Sequence, residues 1–229
     1  MTGMLGLVTI GQAPRVDLIP DVADALAGIE FVEHGALDLL SEIDLAGIAP
    51  EPGEVPLVSR LRSGGSASMG HRAVVPLVND AIERCVRDGA GAVLLLCTGH
   101  FEGIESRVPL YFAESLSHGG AVSIVGDDPI GIITPLESQL AEARSRWLSL
   151  LGRPVLGSAG DPYGDSEAEI IAAGRQLAND GAGWIVMDCI GYTEHMRTLV
   201  ATATGVPVLL VRSIAVRLAV EAARARGSS

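Results

Sequence analysis

Lysine is absent from all 229 residues, so the sixteen basic side chains are all arginines. A pyridoxal-phosphate Schiff base, a Schiff-base aldolase and a Walker-type phosphate loop each need a lysine amine, and all three are removed. Positive charge is scarce in general: 28 acidic residues leave a formal net charge of −12. Phosphate binding needs clustered positive charge, so this balance argues against a nucleic-acid protein. Arg60 and Arg62 sit together, but two arginines on one short segment read as a solvated strand face. Long apolar runs are missing too. No stretch approaches the ~18 residues needed to span a membrane. Residues 1–12 lack a basic region, and their apolar stretch is broken by glycine, so no signal peptide is expected. Three cysteines are an odd, sparse set that suits a reduced compartment rather than a disulfide scaffold. A globular, cytoplasmic protein with neither membrane nor nucleic-acid partners is expected.

What the chain does contain is a regular alternation of short apolar runs and longer amphipathic stretches. Gly6 to Ile10 reads as a first buried strand, Pro14 to Ala27 as a helix and Ile29 to Glu33 as a second strand. Ala73 to Asp88 places Val74, Val78, Ala81, Ile82 and Cys85 on one helical face, where Cys85 is a small core hydrophobe. Ala92 to Cys97 is a continuous apolar strand, and a final helix is expected at about Ser213 to Ala225. Apolar strands buried on both faces indicate a parallel sheet covered by helices, hence an α/β fold. Leu57 to Leu61 followed by Gly64-Gly65-Ser66 breaks the rhythm and predicts an antiparallel hairpin.

A repeat sets the expected architecture. Asp88-Gly-Ala-Gly leads through five residues to Cys97-Thr98-Gly99, and Asp180-Gly-Ala-Gly leads through five to Cys189-Ile190-Gly191. Gly6-Leu-Val-Thr9 matches Gly131-Ile-Ile-Thr134, and Val108-Pro-Leu110 matches Val206-Pro-Val208, in the same order. Two similar parallel-sheet α/β halves related by a pseudo-two-fold are predicted, residues 1–118 and 119–229. The last helix, 213–229, is expected to return to the first half. Each half reads as strand, helix, strand, helix, Cys-ending strand, helix, Val-Pro strand, helix.

Ligands of open parallel sheets bind beyond the carboxyl ends of the strands. Thr9, Cys97, Thr134 and Cys189 fall at such ends, and facing halves would bring both cysteines to one cleft. Each cysteine precedes a glycine and then an expected helix start, whose free N–H groups would stabilise a thiolate. Two thiols flanking one carbon move a proton between its faces, one as base and the other as acid. Two proton-transfer contacts of ~3–3.5 Å imply sulfurs roughly 6–9 Å apart. Loop N–H groups, with the hydroxyls of Thr98 and Thr134, are candidate donors to the intermediate's charge, beside Gly99 and Gly191. Arg15 reads either as a carboxylate clamp or as a surface arginine at a helix start, and Gln12 as a partner for a carbonyl. Tyr192 reads either as a hydroxyl reaching the cleft or as a packed aromatic. His100 is placed to tune Cys97, and the Asp188 side chain should point away from the Cys189 thiol. Cys189, His195 and Asp188 lack the spacing of a metal site, so neither metal nor cofactor is expected.

The two cysteine segments resemble those of the aspartate/glutamate/hydantoin racemase superfamily, and nearly the whole chain resembles its AroM family. The resembling segments are Thr9 to Arg15, His34 to Asp38, Pro50 to Glu54, Asp165 to Glu167 with Ala173-Gly174, and Met187 to Tyr192. The resemblance implies a racemase-like fold with its active site between the halves, a small carboxylate substrate and a homodimer. It also departs from amino-acid racemases, which place Thr-His after the second cysteine where Ile190-Gly191-Tyr192 stands here, and Asp-Ser where Gly11-Gln12 stands. The expected activity is a cofactor-independent racemase, epimerase or isomerase. An arylmalonate-decarboxylase-like or maleate-isomerase-like enzyme, or a metabolite-binding protein without catalysis, stands beside it.

Overall fold

Met4–Thr9 (β1) pairs in parallel with Phe31–Gly35 (β2) and with Ala90–Leu96 (β5), and β5 pairs in parallel with Leu110–Phe112 (β6). The sheet order is therefore β2-β1-β5-β6. A second sheet is built from Ile130–Thr134 (β7), Leu156–Ala159 (β8), Trp184–Met187 (β9) and Val208–Leu210 (β10). Its order is β8-β7-β9-β10, again wholly parallel. Both sheets thus run second, first, third, fourth, and the fold is α/β with two parallel sheets of the same internal order. The computed structural model describes residues 3–164 and 167–227. One compact unit comprises Met1–Leu116 with Ala215–Ser229, and the other Ser117–Ile214.

The repeat positions explain this likeness atom by atom. Gly89 and Gly181 each follow a helix end with φ of +102° and +94°, a left-handed turn that only glycine adopts without strain. The carbonyl of Pro109 accepts from the Val93 amide at 2.9 Å, and that of Pro207 from the Ile185 amide at 3.0 Å. Gly6 and Gly131 sit where a helix presses closest on the first strand. A Cβ on Gly6 would fall 2.9 Å from Cys85 Cβ, and one on Gly131 would fall 3.0 Å from Leu177 Cβ.

In the first unit, His71–Arg87 (α3) buries Val74, Val78, Ala81, Ile82 and Cys85 completely, as the apolar spacing predicts. Leu57–Arg60 (β3) and Ser66–Met69 (β4) form the expected antiparallel hairpin. Ile19–Leu26 (α1) is shorter than the expected Pro14 to Ala27. The Arg15 amide turns to the Glu33 carboxylate at 3.0 Å, and the Arg15 carbonyl closes a turn with the amides of Leu18 and Ile19, delaying the helix. Glu42–Ala46 (α2) is a single capped turn before the hairpin. Ala113–Val125 (α4) follows β6.

The second unit continues through Leu140–Leu151 (α5), Ala168–Asn179 (α6) and Glu194–Thr204 (α7). Its core gathers Ile133, Ile170, Leu177, Ile185, Met187, Val200 and Leu210. Val211–Gly227 (α8) begins here, and from Ala215 it belongs with the first unit, where Arg224 donates to the Ala27 carbonyl and Arg226 to the Tyr111 hydroxyl.

One expected element is missing among the described residues. No helix follows Cys97: residues 97–109 run as an irregular loop to β6. Pro109 follows Cys97 six residues sooner than Pro207 follows Cys189, which leaves no room for an equivalent of the eleven-residue α7. The loop is pinned instead. Asn79 donates to the Gly103 carbonyl and accepts from the Glu105 amide, both at 3.0 Å, and Arg107 pairs with Glu83 at 2.7 Å.

Candidate active site

Each of the two repeated cysteines stands just beyond the carboxyl end of the third strand of its own sheet. Thr9 is level with Leu96, the residue before Cys97, and Ile133 is level with Met187, two before Cys189. The local geometry is the same in both. The Gly99 amide donates to Cys97 Sγ at 3.3 Å, and the Gly191 amide donates to Cys189 Sγ at 3.3 Å. A backbone N–H on sulfur favours the thiolate, the form that acts as a base. Cys97 is half-buried and Cys189 is 9% exposed. In both cases this donor is a loop amide rather than the helix start expected from the sequence: no helix follows Cys97, and α7 begins only at Glu194.

Both glycines lie where neighbours approach closely. A Cβ on Gly191 would lie 2.6 Å from the Tyr163 ring and 2.9 Å from Pro162. A Cβ on Gly99 would lie 2.8 Å from Leu57 Cδ2, with His71 and Cys97 Sγ just beyond. Thr98, between Cys97 and Gly99, is buried.

In the first loop Arg15 is 2% exposed, not at the surface. Its guanidinium grips Asp17 with two bonds of 2.7 Å and donates to Thr9 Oγ1 at 3.0 Å. The fork that would clamp a carboxylate therefore already holds one. The Gln12 amide is similarly committed within the unit, donating to the Leu37 carbonyl at 3.2 Å and accepting from the Arg62 amide at 2.8 Å. His100 is exposed and faces Glu114, 3.4 Å away, rather than Cys97.

In the second unit Tyr192 takes the packed alternative, and Thr134 differs from the donor expected. Tyr192 is fully buried, and its hydroxyl donates to the Gly160 carbonyl at 2.7 Å. Burial above all, with the neighbouring Cys189 as a lesser cause, pushes this phenol well above its ordinary pKa, so it acts as a packed anchor. The tyrosine at the thiol is Tyr163, whose hydroxyl lies 3.8 Å from Cys189 Sγ. Thr134 is buried and its hydroxyl proton goes to the Leu136 carbonyl at 3.1 Å, so it offers lone pairs rather than a donor.

Asp188 points into the core, where His118 Nε2 and Trp147 Nε1 each lie 2.8 Å from one carboxylate oxygen. Burial opposes its charge, but the His118 charge and the hydrogen bonds from His118 and Trp147 outweigh it and hold its pKa below the usual value. His195 faces Glu167 at 3.2 Å, so the three groups weighed for a metal look to separate partners. Arg212 at the start of α8 is 0% exposed and donates to the carbonyls of Ile190 and Gly191 at 2.9 and 3.0 Å. Tyr163, Arg212 and the His118–Trp147 pair carried no sequence signal, because each meets the cysteine segment from a distant part of the chain.

Several of the segments singled out in the sequence prove to be scaffolding of these loops. Asp38 accepts from the amides of Ala13 at 2.8 Å and Gly35 at 2.7 Å and pairs with Arg62 and Arg84, which fixes the loop after β1. Glu54 accepts from the Glu51 amide and reaches the Arg72 amide at the start of α3. Gly174 admits Val200, whose Cγ1 a Cβ there would meet at 2.6 Å. Asp165 and Ser166 lie outside the described residues.

The AroM protein family model matches residues 5–222. No curated protein sequence matches the chain. Among solved structures, unliganded arylmalonate decarboxylase aligns over 97% of this chain and 93% of its own, with a TM-score of 0.60 at 14% identity. Allantoin racemase from Klebsiella pneumoniae aligns over 98% and 89%, with a TM-score of 0.62 at 16% identity. Picrophilus torridus aspartate racemase aligns over 96% and 94%, with a TM-score of 0.62 at 10% identity. At these identities the likeness is one of fold. No helix among the described residues is long and apolar enough to cross a membrane.

Proposed function

The chain belongs to the AroM protein family, and on that premise we propose that it is a cofactor-independent racemase, epimerase or isomerase acting on a small carboxylate. Cys97 and Cys189 are its acid and base. The observation that carries this reading is the matched pair of glycine-to-sulfur hydrogen bonds, both 3.3 Å, at equivalent strand ends of the two sheets. A neutral thiol is only a weak acceptor for such a donor, whereas a thiolate is a strong one. The racemases of the same fold support the reaction class.

In the proposed reaction one thiolate removes the proton α to the carboxylate, and the other thiol returns a proton to the opposite face. The charge that develops on the carboxylate is met by loop amides beside Thr98, Gly99 and Gly191. Thr134 spends its hydroxyl proton on the Leu136 carbonyl and supplies no donor to that charge, and Gln12 and Arg15 shape the loop after β1. Tyr163 holds the Cys189 sulfur in place, and Tyr192 anchors the following turn to Gly160.

The difference between the two loops favours a second reading. Cys189 has Tyr163 at its sulfur and is followed by α7 from Glu194, whereas an irregular loop follows Cys97. If Cys189 alone delivers the proton, the reaction is decarboxylation or double-bond isomerisation, and arylmalonate decarboxylase shares the fold. Incubation in deuterium oxide with a panel of small 2-substituted acids separates the readings. The first expects α-deuterium in recovered acid, lost in Cys97→Ser and in Cys189→Ser. Carbon dioxide from malonates, or fumarate from maleate, retained in Cys97→Ser, selects the second. Turnover undiminished in the double variant rejects both, and a bound acid recovered unchanged marks a binding protein.

A further inference from the structure

Arg212 is the second residue of α8, where the positive end of the helix dipole makes a cation least welcome. It is nevertheless fully buried. Its fork reads two consecutive peptide groups. Nε donates to the Ile190 carbonyl at 2.9 Å, and Nη2 donates to the Gly191 carbonyl at 3.0 Å. The other ends of those same two peptides face Cys189: the Gly191 amide donates to Sγ at 3.3 Å, and the Tyr192 amide donates to the Cys189 carbonyl at 3.4 Å. A cation on the carbonyl side of a peptide withdraws electron density and strengthens its N–H as a donor. The guanidinium also fixes both peptide planes, so neither can turn its N–H away from the cysteine.

We propose that Arg212 is a positioning residue that stabilises the Cys189 thiolate through the Ile190–Gly191 peptide. The inference rests on the reading of Cys189 as an acid–base group. It gives that thiol a support from outside its own loop, assembled from residues 189–192 and the start of α8. Among the described residues, the titratable groups around this turn include Tyr163 at the sulfur, Tyr192 bonded to Gly160, Asp161 bonded to the Tyr163 amide, and Asp188 bonded to His118 and Trp147. The two aspartates disfavour a thiolate, and Arg212 opposes them. Glu194 nearby is engaged by Ser213 at 2.7 Å and by Arg197.

The test is a pH titration of the full chain labelled with 13Cβ-cysteine, with the resonances assigned by single Cys→Ser variants. In Arg212→Met the Cys189 pKa should rise by about one unit, a tenfold loss of thiolate below its pKa. The Cys97 pKa should not move. Arg212→Lys keeps the charge but not the two-carbonyl fork, so a smaller rise at Cys189 alone is expected. That variant decides the matter if Arg212→Met does not fold. An unchanged Cys189 pKa in a folded variant, or an equal shift at Cys97, overturns the proposal. The readout needs no turnover, so an inactive wild-type protein counts against the proposed reaction and not against the Arg212 role.

Discussion

His118 Nε2 lies 2.8 Å from Asp188 Oδ1 inside the second unit, and both side chains are almost wholly buried. Trp147 Nε1 donates to the other carboxylate oxygen at 2.8 Å, and its ring packs on His118 with centroids 4.6 Å apart. The cluster anchors the residue immediately before Cys189. It thereby fixes the end of β9 without touching the thiol, since consecutive side chains on a strand point to opposite faces.

Removing the carboxylate leaves a buried imidazole and an indole N–H without their acceptor. Asp188→Ala is expected to lose about 3–5 kcal/mol of unfolding free energy, measured by urea denaturation. The pH dependence has a definite sign. The folded pKa of Asp188 lies below the ordinary carboxyl value of 3.8, so its contribution is present above that value and is lost as pH falls through the lower folded pKa. Stability curves between pH 2 and 6 should fall more steeply on acidification for the wild type than for Asp188→Asn. Parallel curves would remove Asp188 from the acid response.

The glycines two residues beyond the cysteines should differ in tolerance. Gly191→Ala places a methyl against both the Tyr163 ring and Pro162, and is expected to cost about 1–3 kcal/mol while displacing Tyr163 from the thiol. Gly99→Ala meets chiefly the far end of Leu57, which can change rotamer, and should cost less. Thermal unfolding of the two variants side by side measures the difference. Equal losses would mean that the Tyr163 contact is not what demands glycine at 191.

The three thiols should be distinguishable chemically. Burial pushes the Cys85 thiol up to about 12, and it is 0% exposed. Alkylation of the native chain at pH 8, read peptide by peptide, should label half-buried Cys97 first, Cys189 more slowly and Cys85 only after denaturation. Labelling of Cys85 on the timescale of Cys97 would contradict the packing of α3 on Gly6.

Close approach of α6 to β7 makes Gly131 and Leu177 interdependent. Gly131→Ala drives a methyl to about 3.0 Å from three Leu177 carbons and should destabilise by about 1–3 kcal/mol. Leu177→Ala leaves a cavity and should cost about 2–5 kcal/mol. The double variant fills part of that cavity, so its loss should be smaller than the sum of the two. Additive losses in a double-mutant cycle would show that the helix shifts away instead.

Much of this was legible in the amino-acid order. Apolar runs, helical spacing in α3, the Leu57 hairpin and the Asp-Gly-Ala-Gly repeat are local patterns, and local patterns determine which backbone forms. They also place Cys97 and Cys189 at strand ends, each two residues before a glycine. The length of chain between Cys97 and Pro109 was visible as well, but only the pinned loop shows that it carries no helix.

Tertiary structure alone decided how the polar groups are shared. Arg15 turned inward because Asp17 and Thr9 meet it there, and Tyr192 was spent on Gly160 while Tyr163, from another loop, took the place beside the sulfur. Arg212 reached the Cys189 turn only once β9 and β10 had paired in parallel. A buried hydrogen bond depends on which distant groups compete for the same atom, and residue spacing along one chain carries no record of that competition.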